Sequence, residues 1–383
     1  MSDYTKSESS TKGGRKDPES APAASYSATL VPGFCNENRR FVGRFSFGSF
    51  RICNMLSLSV HWPVFWATAF LLIYYFLMDC RLYQTLQQWP GSTVNATIGH
   101  YSPFRPLTMK LLMMNHGNHY LLMPLAEYFD EYSKFSKRFP FITANMVSFS
   151  HIVVCIVAFR MMYSDSLSVR RWGCLLFQLR NWLDAFDGVV HRSHAGTQFR
   201  LKSYRNTSGY LVDAIADTWS GFMESLAMYL FLLKNPPTSS LARLHILPWT
   251  KPQENGRGRK DFSKWELFRP CLVYGLLVAF SGIFWDRYIS HYNNIMEYIP
   301  PNVLQKEQQL AQMKTLRMWI FIWVWRLVNA QALLDYGLIS IALDKTWSFI
   351  HIMQYFGWPF LIIFCMATEI QLAEVQGAVM GTL

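Results

Sequence analysis

The sequence predicts an all-α polytopic membrane protein with about seven spans. Two observations carry that reading. Of the 383 residues, 51% are hydrophobic and only 16% charged, whereas a soluble domain is about 25% charged. The apolar residues gather in runs close to the roughly 17–25 helical residues that cross a bilayer core. Mean hydropathy is only +0.08, because a polar tail and sizeable loops dilute those runs. Aromatic residues make up 16% of the chain, and its seven cysteines are sparse. A disordered chain and a small disulfide scaffold are both excluded.

Taken in order, residues 1–32 are rich in Ser, Lys, Pro and Ala and have no apolar period, so they read as a flexible tail. The stretch 34–51 alternates aromatics with Arg39, Arg40, Arg44 and Arg51, a mix suited to a membrane surface. No apolar core lies near Met1, so no cleavable signal peptide is expected. The first span, 62–78, has no charge and reads as an uncleaved anchor. Further spans are expected at about 144–163, 168–186, 209–233, 270–287, 318–343 and 348–368. Three of these carry polar groups, His151, Arg180 and Glu224. Such groups are costly in lipid and should face the interior of a bundle. The segments are therefore a tail and surface segment over 1–51, an anchor over 52–79, an extramembrane region over 80–139, a core over 140–370 and a short tail over 371–383.

Orientation follows from the basic residues, which accumulate on the cytosolic side. With a cytosolic N-terminus and seven spans, 19 Lys/Arg fall on the cytosolic face, 13 on the opposite face and four in or at the ends of spans. The sequon Asn95-Ala96-Thr97 falls in the large loop assigned to the far side. A second sequon at Asn206 sits too close to a span to be a good acceptor. The net charge of +11 thus reads as an orientation signal, and nucleic acid is not expected as a partner.

The chemistry lies in two stretches. Asp184 and Asp187 stand at i and i+3, with Gly188, His191 and Arg192 following. After sixteen more residues, Gly209, Asp213 and Asp217 stand at successive i+4 steps. On helices each set shares a face, and the return of the chain brings four carboxylates to one end of the bundle. Like charges repel and burial disfavours ionised carboxylates, so such a cluster needs cations. All-oxygen ligand sets suit Mg²⁺ or Mn²⁺. Two divalent ions would balance four carboxylates, and two-metal sites suit displacement at phosphorus. Gly188 and Gly209 would let a diphosphate approach the backbone. Arg192, with Arg200, Lys202 and Arg205 nearby in sequence, would pair with phosphate oxygens.

The pattern Asp-x-x-Asp-Gly-x-x-x-Arg followed by Gly-x-x-x-Asp-x-x-x-Asp resembles the signature of the CDP-alcohol phosphotransferase family. His191 stands where a small residue is usual, and the sixteen-residue gap is longer than the family's common spacing. The long gap and the extra leading span are similar to those of insect ceramide phosphoethanolamine synthases. Ile142-Thr143-Ala144-Asn145 resembles the family's Thr-Pro-Asn lead into the first core helix, with Ala144 in place of Pro. The resemblance implies a six-helix core preceded by one extra N-terminal transmembrane helix.

It also implies roles. Asp184, Asp187 and Asp213 would ligate two divalent cations, Mn²⁺ or Mg²⁺. Asp217 would complete the metal site and act as general base. Asn145, Gly188, Arg192 and Gly209 would line the CDP site. The reaction implied moves phosphoethanolamine from CDP-ethanolamine to the primary hydroxyl of ceramide, releasing CMP. A diacylglycerol ethanolamine- or cholinephosphotransferase is the alternative, because the motif handles the diphosphate that all of these share. A divalent-cation transporter is the alternative of another class, but transporter sites lie nearer the bilayer midplane. With one span ahead of the core, the carboxylates face the lumen, which suits a Golgi membrane, or failing that the endoplasmic reticulum. The resemblance further implies a homodimer.

The remaining polar residues receive structural expectations. His116 and His119 are expected to be hydrogen-bonded outside the membrane rather than metal ligands. His151 is expected to be a buried, satisfied histidine. His191 is a secondary candidate for substrate contact. Glu224 continues the Asp217 face two turns deeper and would either position the acceptor or pair with Arg326, the pairing being favoured. Arg326 and Asn329 form a polar stripe expected to face the bundle interior. No Cys-x-x-Cys occurs, and no disulfide is predicted for Cys80. The basic loop 234–269 would lie against anionic lipid.

Overall fold

Helices dominate the computed structural model, which describes residues 62–91, 101–105, 107–196, 208–237, 262–298 and 302–380. The N-terminal tail, the 34–51 segment, both sequons, Arg200, Lys202, Arg205 and most of the basic loop lie outside the described residues. Among the described residues there is no strand, only an isolated bridge between Ser102 and Arg105. Residues Val64–Leu383 form one unit.

The first helix, α1 (Trp62–Gln87), is followed by α2 (Met109–Leu112), a π-helical turn (Asn118–Leu122), α3 (Met123–Ser133) and α4 (Phe135–Arg138). Then come α5 (Ala144–Met162), α6 (Leu167–His194), α7 (Ser208–Lys234) and α8 (Lys264–Glu297). The chain closes with α9 (Val303–Met313), α10 (Leu316–Val328), α11 (Ala330–Ala342), α12 (Thr346–Ile352), a π-helical turn (Met353–Gly357) and α13 (Trp358–Met380). Among the described residues, three helical stretches are long and apolar enough to cross a membrane: Ala144–Met162, Lys264–Glu297 and Thr346–Val379. The protein is therefore an all-α membrane protein. Many large apolar side chains on these helices face outward, Phe149, Ile283 and Ile363 among them, as lipid-facing surfaces require.

Local chemistry explains the helix starts. Thr143 N-caps α5, its hydroxyl accepting the Met146 N–H at 3.4 Å, as expected of Ser and Thr caps. Ser263 and Glu266 form a capping box on α8, Glu266 accepting the Ser263 N–H at 2.8 Å. One expected span does not form a single helix. Residues 318–343 break at Asn329, whose backbone leaves the helical region and whose side-chain oxygen accepts the Ala332 N–H at 2.9 Å. Asparagine bonds its own following backbone well enough to compete with helix continuation. The same side chain donates to the carbonyl of Met113 at 3.3 Å.

The α5–α6 hairpin positions the acidic residues. The two helices pack along much of their length, and they close tightly near their junction. A Cβ on Gly173 would lie 2.9 Å from the backbone nitrogen of Met162. Arg170 is buried and ties the turn, donating to the carbonyls of Ser164 and Asp165 at 3.0 Å and to Asp344 at 2.6 Å. Helix α6 runs to His194, so Gly188, His191 and Arg192 lie within the helix, beyond the end at about residue 186 expected for that span.

At the other side, one carboxylate organises α1. Asp79 accepts from the Tyr120 hydroxyl at 2.7 Å and the Trp323 indole at 2.8 Å, pairs with His116 at 2.7 Å and lies 3.2 Å from Arg326. Arg326 is fully buried and also donates to the Leu112 carbonyl and to His119 Nδ1, both at 3.0 Å. His119 Nε2 donates to the Pro103 carbonyl at 2.6 Å. Both histidines of the His-x-x-His pair are thus hydrogen-bonded, as the sequence suggests. The expected Glu224–Arg326 pair does not form. Asp79, brought in by α1, takes that partner instead, so the arginine closes a contact between helices that sequence spacing could not relate.

Candidate active site

Three helices build the acidic centre. On α6, Asp184 and Asp187 are one turn apart and mostly buried, with side-chain exposures of 17% and 11%. On α5, Ser148 and His151 stand one turn apart and face them. The Ser148 hydroxyl donates to Asp187 Oδ2 at 2.6 Å. His151 is fully buried, and its Nε2 lies 3.9 Å from Asp184 Oδ1 and 4.0 Å from Asp187 Oδ2. Those separations are too long for hydrogen bonds, and neither ring nitrogen has a hydrogen-bond partner. They lie within the span of two ligand atoms on one metal, about twice a bond of roughly 2.0–2.2 Å. His151, Asp184 and Asp187 can therefore hold a metal ion, each offering one ligand atom. The expectation of a satisfied histidine is thereby corrected: His151 is buried without the hydrogen bonds that would satisfy it.

On α7, Asp217 is half exposed, and Arg180 from α6 donates to its Oδ1 at 2.5 Å. The same guanidinium, fully buried, lies 3.8 Å from Asp184 Oδ1 and donates to Asn181 at 3.2 Å. Arg180 thus links the carboxylates of α6 and α7. Among the described residues, Arg180 is the cation paired with Asp184 and Asp217, and a divalent ion would offset further negative charge of the group. Gly209 and Asp213 lie in the first two turns of α7, and the Asp213 side chain is outside the described residues.

The residues expected to line a nucleotide site are more dispersed. Asn145 is exposed in the first turn of α5, three residues before Ser148. Arg192 lies back across Gly188, its Nη1 3.1 Å from where a Cβ would be. It donates to Glu127 Oε1 of α3 at 2.7 Å. Burial pushes the Glu127 carboxyl up, while Arg192 pulls it down. His191 is exposed. Glu224 is fully buried two turns below Asp217, with the Tyr274 hydroxyl 3.5 Å from its Oε1. Ser148, Arg180 and Asn181 were not among the expected site residues. Their signal was a run of polar groups on one face of apolar helices, which indicates an inward face but names no partner.

The fold and this centre define a class: a helical membrane protein with a carboxylate–histidine cluster between three of its helices. The profile of the ceramide phosphoethanolamine synthase family matches residues 92–382. Ceramide phosphoethanolamine synthase of Drosophila melanogaster is 33% identical over 282 residues, covering 73% of this chain and 71% of the fly protein. The chain belongs to the ceramide phosphoethanolamine synthase family. No solved structure matches it.

Proposed function

We propose that the chain is a transferase of sphingolipid synthesis, moving phosphoethanolamine from CDP-ethanolamine to the primary hydroxyl of ceramide and releasing CMP and ceramide phosphoethanolamine. The observation that carries the reading is the convergence of Asp184, Asp187, Asp217, His151 and Arg180 within the family-matched region. An orphaned buried histidine beside two carboxylates fits a metal. Asp184, Asp187, Asp213 and Asp217 would hold two divalent cations, Mn²⁺ or Mg²⁺, with His151 alongside. Bound cations would neutralise the diphosphate and make CMP a better leaving group.

The chain's own residues do the rest. Asp217 takes the proton of the acceptor hydroxyl. Arg180 occupies its Oδ1, so the proton goes to Oδ2, and the guanidinium fixes the plane of the base. Asn145, Gly188, Arg192 and Gly209 line the CDP site. Arg192 exchanges Glu127 for a phosphate oxygen, helped by His191, Arg200, Lys202 and Arg205. An apolar hollow of about 240 Å³ lined by Leu277, Leu327, Met353 and Phe360 suits an acyl chain of the acceptor. We place the protein in the Golgi membrane with seven spans, α1, α6, α7 and the α10–α11 pair adding to the three apolar stretches. The N-terminus is cytosolic, the carboxylates face the lumen, and the chain is a homodimer.

The test is CMP release from CDP-ethanolamine by the full chain in membranes, with ceramide or diacylglycerol supplied and with Mn²⁺, Mg²⁺ or chelator. Ceramide-dependent release that needs a divalent ion supports the reading; release with diacylglycerol alone overturns the acceptor. Asp217→Asn should lower transfer by at least about 10²-fold, the low end of general-base catalysis, while the protein stays folded and inserted. Protection of the connection between α6 and α7 from protease in sealed vesicles checks the lumenal placement; cleavage from the cytosolic side would sink it.

A further inference from the structure

Most buried charges among the described residues have a partner of opposite sign. Asp79 has Arg326, Glu127 has Arg192, and the Asp184–Asp217 group has Arg180. Two acidic residues in the bundle interior do not follow that pattern. Asp335 on α11 is held by two neutral amides, Asn115 Nδ2 at 2.9 Å and Gln178 Nε2 at 2.8 Å, and is partly accessible. Glu224 on α7 is fully buried, and its Oε2 has no hydrogen-bond partner among the described residues. Neither carboxylate has a Lys, Arg or His within ion-pair distance among those residues.

The two belong to one neighbourhood. Glu224 packs against the turn of α11 that carries Asp335: a Cβ on Gly337 would fall on Glu224 Oε1 and on the Tyr274 hydroxyl. That hydroxyl donates to the Leu333 carbonyl at 2.8 Å, so Leu333 and Gly337 bracket Asp335. The neighbourhood connects to the reaction centre along α6. Asn181 donates to Gln178 at 3.5 Å, Arg180 donates to Asn181 at 3.2 Å, and Arg180 holds Asp217. A continuous line of hydrogen bonds therefore runs from the Asp335 carboxylate to the proposed base.

Carboxylates in a bundle interior without cations are costly, and among the described residues no basic side chain stands within ion-pair distance here. We propose that Asp335, fixed by Asn115 and Gln178 and backed by Glu224, is the seat of the ammonium group of the transferred phosphoethanolamine. The proposal rests on the transferase reading above. It also assigns specificity. A primary ammonium offers three N–H donors to carboxylate oxygens. A quaternary ammonium offers none and is recognised by aromatic cages. The seat therefore selects a headgroup that can donate hydrogen bonds.

The experiment measures binding of CDP-ethanolamine, CDP-choline and CDP-glycerol to the purified full chain with Mn²⁺ present, for the native sequence and Asp335→Asn. The variant should bind CDP-ethanolamine about 10–100-fold more weakly, the range for a lost hydrogen bond to a charged group, with CDP-glycerol changed by no more than about twofold. Equal weakening of both ligands, or of neither, overturns the proposal. If Asp335→Asn does not fold, the native chain still decides. A preference for CDP-ethanolamine over both CDP-choline and CDP-glycerol of about tenfold or more supports the seat, and a smaller one overturns it. Native chain that shows this preference but makes no ceramide product would refute the transferase reading and leave the seat standing. Transfer to ceramide without the preference would do the reverse.

Discussion

Replacing His151 by leucine separates a metal ligand from a packing residue. His151 is fully buried, its nitrogens make no hydrogen bonds, and its Nε2 stands 3.9 and 4.0 Å from two carboxylate oxygens. In the metal-free protein, leucine of similar size removes two unsatisfied polar atoms. A buried unsatisfied group carries a penalty of about 1–3 kcal/mol, so the metal-free variant should be more stable by up to about that amount. With metal the sign reverses. Losing a ligand should weaken Mn²⁺ binding by at least about tenfold, since even outer-shell partners of metal ligands are worth 10–100-fold. Thermal unfolding in detergent with chelator reads the first effect, and Mn²⁺ titration followed by electron paramagnetic resonance reads the second. A metal-free variant that is less stable and binds Mn²⁺ as well as the native chain would show that His151 only packs.

Gly173→Ala should destabilise the α5–α6 hairpin by about 1–3 kcal/mol, the usual penalty for overpacking, because its Cβ would lie 2.9 Å from the Met162 backbone; a lowered unfolding temperature checks it. Asp79→Ala leaves Arg326 buried without its carboxylate, so a loss of about 3–5 kcal/mol is expected. Asp79→Ala together with Arg326→Leu should recover part of that loss in a double-mutant cycle, because the stranded charge is gone as well. Glu127→Gln loosens the hold on Arg192, so affinity for CMP should rise a few-fold, within the about 0.5–1.5 kcal/mol of an ordinary hydrogen bond; calorimetry on the purified chain reads the change.

Residues that share a helix were legible in the sequence, and residues that meet across helices were not. Asp184 and Asp187 follow from spacing alone, because a helix fixes i and i+3 on one face. Their confronting partners, Ser148 and His151, read as inward-facing polar groups on α5, but which residues of α6 they meet depends on how the two helices slide and pack, which spacing within one helix does not set. Arg180 was visible as a charge inside a span, yet its partner Asp217 lies on the next helix, across a long connection. The sequence favours Glu224 as the partner of Arg326, with acceptor positioning as the other role open to Glu224. The structure gives Arg326 the partner Asp79, because α1 packs against α10 rather than standing apart. The break at Asn329 was hidden by an apolar stretch that reads as one span, where a single side chain competes with the helix for backbone hydrogen bonds.

The junction at Asp79 changes how the first helix should be regarded by anyone rebuilding this protein. A leading hydrophobic segment is normally interchangeable: any stretch of adequate length directs insertion. Here the acid near its end is a socket for tyrosine, tryptophan, histidine and arginine from two other parts of the chain. A borrowed signal sequence would restore topology and leave four plugs without a receptacle. Fusions and truncations that keep the protein working must therefore be cut upstream of α1, and swapped helices must carry an acid at the same depth.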